Sequence, residues 1–297
     1  MRRRYFILDV FTDTKLAGNP LAVVLDSDGL DDAAMQKIAR EFNLSETVFC
    51  SAPQDPVNSA ALRIFTPAAE LPFAGHPTIG TAILLGLENA PDLIAREDVG
   101  LVLEEKVGAI SCSVRRRRGE APHARFEAPR AAEAWAAPPE PAALAAKLGL
   151  APADIGFDGH LPSCFSAGNP MTFVPVASLE ALGRAELNAA PGEKAMLYLF
   201  ARTEAKGDTP AFRSRLFCAG YGIVEDPATG SAAAAFPGAL AAGETFPDGE
   251  HDLILLQGVE MGRPSRIGVA FATEGGRAGP ATIGGSAVVV MQGHLDL

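Results

Sequence analysis

A single displacement constrains this chain more than any one motif in it. "GNPLAVVL" begins at Gly18 and "GNPMTFVPV" at Gly168, 150 residues later. "PTIGTA" at Pro77 returns as "PATGSA" at Pro227, again 150 residues on. "RIF" at 63–65 is answered by "RLF" at 215–217, and "LVLEEKVG" at 101–108 by "LILLQGVE" at 253–260, both displaced by 152. Four landmarks in one order at near-constant spacing mark an internal duplication. The 297 residues are therefore read as two copies of one fold, each of about 150 residues.

Each copy reads alike. An extended segment enters a Gly-Asn-Pro turn, where Gly and Pro set the backbone, and a β-rich run follows. "LDDAAMQKIAREFN" places apolar residues at 30, 34, 35, 38 and 42, a helical period after acidic residues. "SETVFCS" and "AALRIFTP" are strand-like. A Pro/Gly turn then opens a small-residue helix, predicted over 77–87 in the first copy and 228–241 in the second, and strands close each half. Both helices are apolar nearly all round, from Ile79 to Leu87 and from Ala232 to Leu240, so protein must surround them. The expected class is α+β, with each lobe a mostly antiparallel, barrel-like sheet around a central helix. Residues 119–143, rich in Pro and Ala, contain the expected crossing. The final "ATIGGSAVVVMQGHLDL" reads as a strand pair returning to the first half. The lobes are thus drawn as 1–118 plus about 279–297, and 119–278.

Composition narrows the partners. Hydrophobic residues make up 48% and charged residues 21%, enough for a sizeable core. A net charge of −11 argues against a nucleic-acid surface, which needs clustered basic residues. The one basic run, Arg115 to Arg118, is read as a solvated edge or loop. Four cysteines without CxxC spacing point to a reduced, cytoplasmic protein with thiols as small apolar residues. "MRRRYFILDVF" imitates the basic end of a signal peptide, but Asp9 breaks its apolar stretch, so it is read as a first strand. No apolar run is long enough for a membrane span. The five histidines show no HxH or HExxH spacing, so no metal site is expected. His123, His160, His251 and His294 are placed on the surface.

The first N–H groups of each central helix have no intrahelical partner, and the helix dipole adds positive character there. Two such ends meeting would suit a carboxylate. The ionisable residues bordering them are His76 and Glu46 in the first copy. In the second they are Glu225 and Asp226, with Ser231 in the first helical turn. Position 76 is His where 226 is Asp, and "KAMLYLF" offers no acid to match Glu46. Plainer roles exist for each. Glu46 could be a solvated acid, His76 a hydrogen-bonding residue at a helix start, and Asp226 and Ser231 simple caps. Arg263 in "QGVEMGRPS" could pair with an acid in a turn.

Taken together, "GNPLAVVL", "NLSETVF", "FTPAAELPFAGHPTIGTA", "SAGNP", "EDPATGSA" and "QGVEMGRPS" resemble the phenazine-biosynthesis PhzF-like family. That resemblance runs from about residue 5 to about residue 293 and implies the diaminopimelate-epimerase-like fold, with two pseudosymmetric halves. It implies a cofactor-free isomerase that moves a proton on a small carboxylate-bearing substrate, and a homodimer. Carried over residue by residue, it makes Glu46 the acid/base and joins His76 and Asp226 to the proton network. Ser231 and Thr229 would bind substrate, and Gly75 and Gly230 would let backbone N–H groups approach its carboxylate in a cleft between the lobes. A glutamate with its ordinary pKa near ~4.3 is a poor base for a carbon acid, so burial has to raise it. Related racemases place a cysteine at each helix mouth, and this chain has none there. Cys218 has no matching thiol in the first copy, and "FCAGYG" departs from the proline-containing stretch expected of the family. A non-catalytic small-molecule binding protein on the same scaffold is the competing class.

Overall fold

The computed structural model describes residues 2–190, 192–220 and 223–297. The chain divides into two compact units, Met1–Glu127 with Gly284–Leu297, and Ala128–Ile283. The boundaries fall later than the 118 and 279 expected, because residues 123–127 form a strand of the first unit.

The first unit opens with β1 (Arg2–Val10) and β2 (Asn19–Val24), followed by α1 (Asp32–Phe42). Strands β3 (Glu46–Ser51), β4 (Ala60–Phe65) and the short β5 (Glu70–Leu71) lead to α2 (Gly75–Asn89) and α3 (Pro91–Ile94). Strands β6 (Val99–Glu105), β7 (Gly108–Arg115) and β8 (His123–Glu127) follow, and the last strand of the chain, β18 (Thr282–Asp296), joins them. Pairing runs β1–β2–β3–β4–β6–β7–β8–β18 and returns to β1, closing an eight-stranded barrel. Closure removes the exposed strand edges an open sheet would present. Two of these pairings, β2–β3 and β4–β6, are parallel. Gly18 makes the turn into β2 possible: its φ is +66°, and a Cβ there would lie 2.4 Å from the Val10 carbonyl oxygen. Asp31 caps α1 by accepting from the Ala34 N–H at 2.8 Å, and Met35, Ile38 and Ala39 form its buried face.

The second unit repeats this order. It contains β9 (Glu133–Ala134), α4 (Pro141–Lys147), β10 (Ser163–Ser166), β11 (Pro170–Pro175) and α5 (Leu179–Arg184). Next come β12 (Ala195–Lys206), β13 (Thr209–Ala219), β14 (Glu225–Asp226) and α6 (Gly230–Ala241), then β15 (Gly249–Gln257), β16 (Ser265–Glu274) and β17 (Arg277–Ala278). Again two pairings are parallel, β11–β12 and β13–β15. Registers are preserved as well as order. Ala22 stands opposite Thr47, and Thr172 opposite Leu197, both members displaced by 150.

Each unit is built around its small-residue helix. Gly75 through Gly86 are all buried in α2, and its Gly80 admits β1 and β2: a Cβ there would lie 2.6 Å from Leu21 and 2.8 Å from Val10. In α6, Phe236 meets Phe173, Tyr198, Phe200 and Phe212 at ring-centroid distances of 5.0–6.0 Å. Buried aromatic clusters of this kind contribute both area and oriented ring contacts. No helix among the described residues is long and apolar enough to cross a membrane.

Three expectations are corrected. The terminal segment is one long strand rather than a pair, and its residues 287–296 pair with β1. His160 is buried rather than on the surface, stacked near Phe157 and Phe200. The helix starts also differ by about a turn between copies. Pro77 lies inside α2, where its missing N–H is tolerated in the first turn, whereas Pro227 precedes α6.

Candidate active site

In the first unit the site grows from three neighbouring element starts. Asn19 opens β2, Glu46 opens the parallel strand β3, and His76 is the second residue of α2. The His76 ring is 4% exposed and lies between the other two. Asn19 Nδ2 approaches His76 Nδ1 at 3.4 Å, and His76 Nε2 stands 3.4 Å from Glu46 Oε2. Burial pushes the His76 pKa down to about 3, so the ring is neutral. With the amide N–H of Asn19 donating to Nδ1, the ring hydrogen sits on Nε2 and points towards the Glu46 carboxyl. At 3.4 Å this contact is longer than a settled hydrogen bond, leaving the carboxyl able to turn to another partner.

The turn that delivers α2 is pinned. Arg63 on β4 grips Glu70 on β5 with two bonds, Nε to Oε1 and Nη2 to Oε2, both 2.7 Å. The second unit has a matching clamp: Arg215 on β13, 152 residues after Arg63, holds Glu225 on β14 at 2.8 and 2.9 Å. Bidentate pairs of this kind fix orientation as well as distance. Arg215 Nη1 also donates to the carbonyls of Leu182 and Ala185, at 3.0 and 2.8 Å. Glu225 is thereby held by its arginine, and the next residue, Asp226, is the acid presented at the mouth of α6.

Asp226 is 8% exposed and accepts the Thr229 hydroxyl on Oδ2 at 2.5 Å. Thr229 is the N-cap residue of α6, Gly230 its first helical residue, and the half-buried Ser231 its second. Gln257 at the end of β15 ties these groups together. Its Nε2 donates to the Asp226 carbonyl at 2.7 Å and to Thr229 Oγ1 at 2.9 Å, while its Oε1 accepts from the Thr229 N–H at 3.1 Å.

The structure thus gathers Glu46 and His76 in the first unit, with Gly75 beside them as the first residue of α2. It gathers Asp226, Thr229, Gly230 and Ser231 in the second. The strand register puts Met196, apolar and half-buried, where the first unit has Glu46. Sequence reasoning missed Asn19 and Gln257. Asn19 lies in a Gly-Asn-Pro turn that reads as structural from its Gly and Pro, although Asn169 repeats it. Gln257 opens "QGVEMGRPS", which reads as a turn with Arg263 as its candidate residue. Cys218 is buried in β13 opposite Met196, and none of the four cysteines is in a disulfide. Residues 221 and 222 of "FCAGYG" lie outside the described residues. Residues 258–263 close a turn through the Arg263 N–H and the Gly258 carbonyl at 3.0 Å.

Residues 8–293 match the family model described as phenazine biosynthesis-like protein. An uncharacterized isomerase of Mesorhizobium japonicum is 47% identical, with 99% of this chain and 98% of that protein covered. The trans-2,3-dihydro-3-hydroxyanthranilate isomerase of Pseudomonas aeruginosa is 36% identical over 99% of both chains. Among solved structures, a Bacillus anthracis phenazine biosynthesis protein of the PhzF family superposes with a TM-score of 0.84 at 25% identity, covering 100% of both chains.

Proposed function

Because this chain belongs to the phenazine biosynthesis-like family and is an isomerase, we propose that it moves a proton between atoms of a small carboxylate-bearing substrate, with Glu46 as the acid/base and without a cofactor. The observation that carries this reading is the pairing of Glu46 with a buried, neutral His76 at 3.4 Å. A carboxylate held beside a neutral N–H donor accepts a C–H proton, becomes the carboxylic acid and returns the proton at another carbon. Nothing is oxidised or reduced in that exchange, and substrate and product have the same atoms.

The remaining residues take supporting roles in the same reading. The N-terminal N–H groups of α2 and α6, at Gly75 and Gly230, receive the substrate carboxylate, favoured by the helix dipoles. Asp226, anchored by Thr229 and Gln257, and Ser231 hold the polar substituents of the substrate. Positioned proton transfer of this type contributes roughly 10²–10⁴-fold to rate. Stabilisation of developing enolate-like charge by oriented donors adds to it.

The test is conversion of trans-2,3-dihydro-3-hydroxyanthranilate and a panel of cyclic unsaturated amino and hydroxy acids by extensively dialysed protein, followed by proton NMR. Isomerisation of a carboxylate-bearing member without any addition supports the reading. Turnover that depends on an added nicotinamide, flavin or metal would contradict it.

A further inference from the structure

Glu105, the last residue of β6, is a buried carboxyl that the reaction above does not use. It is 7% exposed, and its Oε1 lies 2.7 Å from Thr78 Oγ1 in the first turn of α2. The same hydroxyl lies 2.8 Å from the Ala74 carbonyl oxygen. A threonine hydroxyl carries one hydrogen. Within a helix that hydrogen commonly goes to the carbonyl four residues back, here Ala74. The short contact with Glu105 then needs its hydrogen from the carboxyl side.

The second unit has a comparable arrangement, on a threonine one place further along the repeat, with the donor fixed by residue type. Ala60 faces Leu103 across β4 and β6, and Phe212 faces Leu255 across β13 and β15, both partners displaced by 152. In that register Gln257 occupies the place of Glu105. Its Nε2 donates to Thr229 Oγ1 at 2.9 Å, while the Thr229 hydroxyl gives its own hydrogen to Asp226 at 2.5 Å. An amide nitrogen can only donate. A protonated glutamate reproduces that pattern, and an ionised one does not.

We propose that Glu105 is a positioning residue kept as a neutral carboxylic acid, donating to Thr78 and so fixing the first turn of α2 that presents His76 to Glu46. Its surroundings agree. Burial pushes its pKa up to about 8, against the opposing Thr78 contact. No cation among the described residues pairs with it, and its Oε2 has no hydrogen-bond partner among them. On β7, the Cys112 thiol is raised to about 12, by burial first and by the Glu105 charge second, and Arg115 pairs with Asp98. On α2, His76 is neutral and Glu88 pairs with Arg4. On β4, Arg63 is held by Glu70 and Asp32. Beside it in the chain, Lys106 is paired with Glu70, and Glu104 accepts from Asn58. The charged and titratable residues of β8, His123, Arg125 and Glu127, are exposed.

The sign of the pH dependence follows. Between the ordinary 4.5 and about 8 the folded protein keeps a proton that the unfolded chain has released. This group's contribution to stability therefore falls as pH rises through that window and levels off above it.

The experiment follows the Glu105 carboxyl carbon by carbon-13 NMR in the full-length, glutamate-labelled protein, together with melting temperatures of wild type, E105Q and E105A from pH 5 to 9. The carboxyl is expected to titrate several units above 4.5. The melting temperature of E105Q minus that of wild type should climb between pH 5 and 8 and stay level beyond. E105Q should keep turnover within a few-fold, and E105A should lose at least tenfold. A carboxyl titrating in the ordinary range, or parallel melting curves, would overturn the proposal. The NMR titration of the wild type decides even where a variant does not fold. Only the turnover comparison rests on the acid/base reading, so failure of that reading leaves the titration and melting results standing on their own.

Discussion

His76 is held by partners of two kinds, an amide on one ring nitrogen and a carboxyl near the other, and burial keeps it uncharged. Its folded pKa lies below the ordinary 6.5, so the unfolded chain takes up a proton that the folded chain refuses. Stability attached to this residue is present above pH 6.5 and is lost as pH falls towards 3. We expect H76N to flatten the acid side of the stability curve, by an amount on the order of a few kcal/mol between neutral pH and pH 4. The pH–rate profile of the wild type should show no inflection near 6.5 from this ring. On the other cluster, Thr229→Val removes the donor to Asp226 and the acceptor of Gln257. Urea unfolding should register a loss of about 1–3 kcal/mol. His76 and Asp226 stand out in the sequence beside Gly/Pro-flanked helix starts, whereas Glu46 in "NLSETVF" gains its role from the family resemblance. Glu105 does not stand out, since a glutamate following another glutamate in "LEEKVG" reads as solvated. The repeat already sets it against Gln257, but only the folded strand brings its carboxyl to Thr78.

The central helices were legible as elements, being too apolar to face water on any side. Their first residues were not. Pro77 and Pro227 are equivalent in the repeat, yet α2 begins before its proline and α6 after. Proline is acceptable in a first helical turn or just outside it, so periodicity alone leaves both starts open. Close packing around α2 sets a sharp expectation for Gly80→Ala, whose new methyl would press on Leu21 and Val10 at under 3 Å. Overpacking of this kind costs about 1–3 kcal/mol, readable as a lowered melting temperature. The clamp of β13 on β14 sets another. Arg215→Met strands the Glu225 carboxylate and the carbonyls of Leu182 and Ala185. A loss of about 3–5 kcal/mol is expected in chemical denaturation, whereas Arg215→Met combined with Glu225→Gln should recover part of it.

At the scale of the whole chain, the duplication could be read directly from spacing, because both copies keep turn chemistry where the backbone needs it. The closing role of the last segment could not. Whether "ATIGGSAVVVMQGHLDL" forms one strand or two depends on what lies opposite, and β1 supplies a continuous partner for residues 287–296. Removing residues 284–297 should therefore open the first barrel between β1 and β8, and the shortened chain should aggregate on expression, as judged by its soluble fraction. The duplication also frames the chemistry. One scaffold is used twice, and Met196 stands in the repeat where the first unit has Glu46, so the proposed reaction assigns the proton to the carboxyl of one copy alone. The most direct measurement is deuterium uptake at substrate carbon in heavy water, comparing wild type with Glu46→Gln on an isomerised carboxylate substrate. We predict carbon-bound deuterium with the wild type and its loss with E46Q, while E46Q still binds the substrate. Exchange that persists in E46Q at the wild-type rate would contradict the assignment of Glu46.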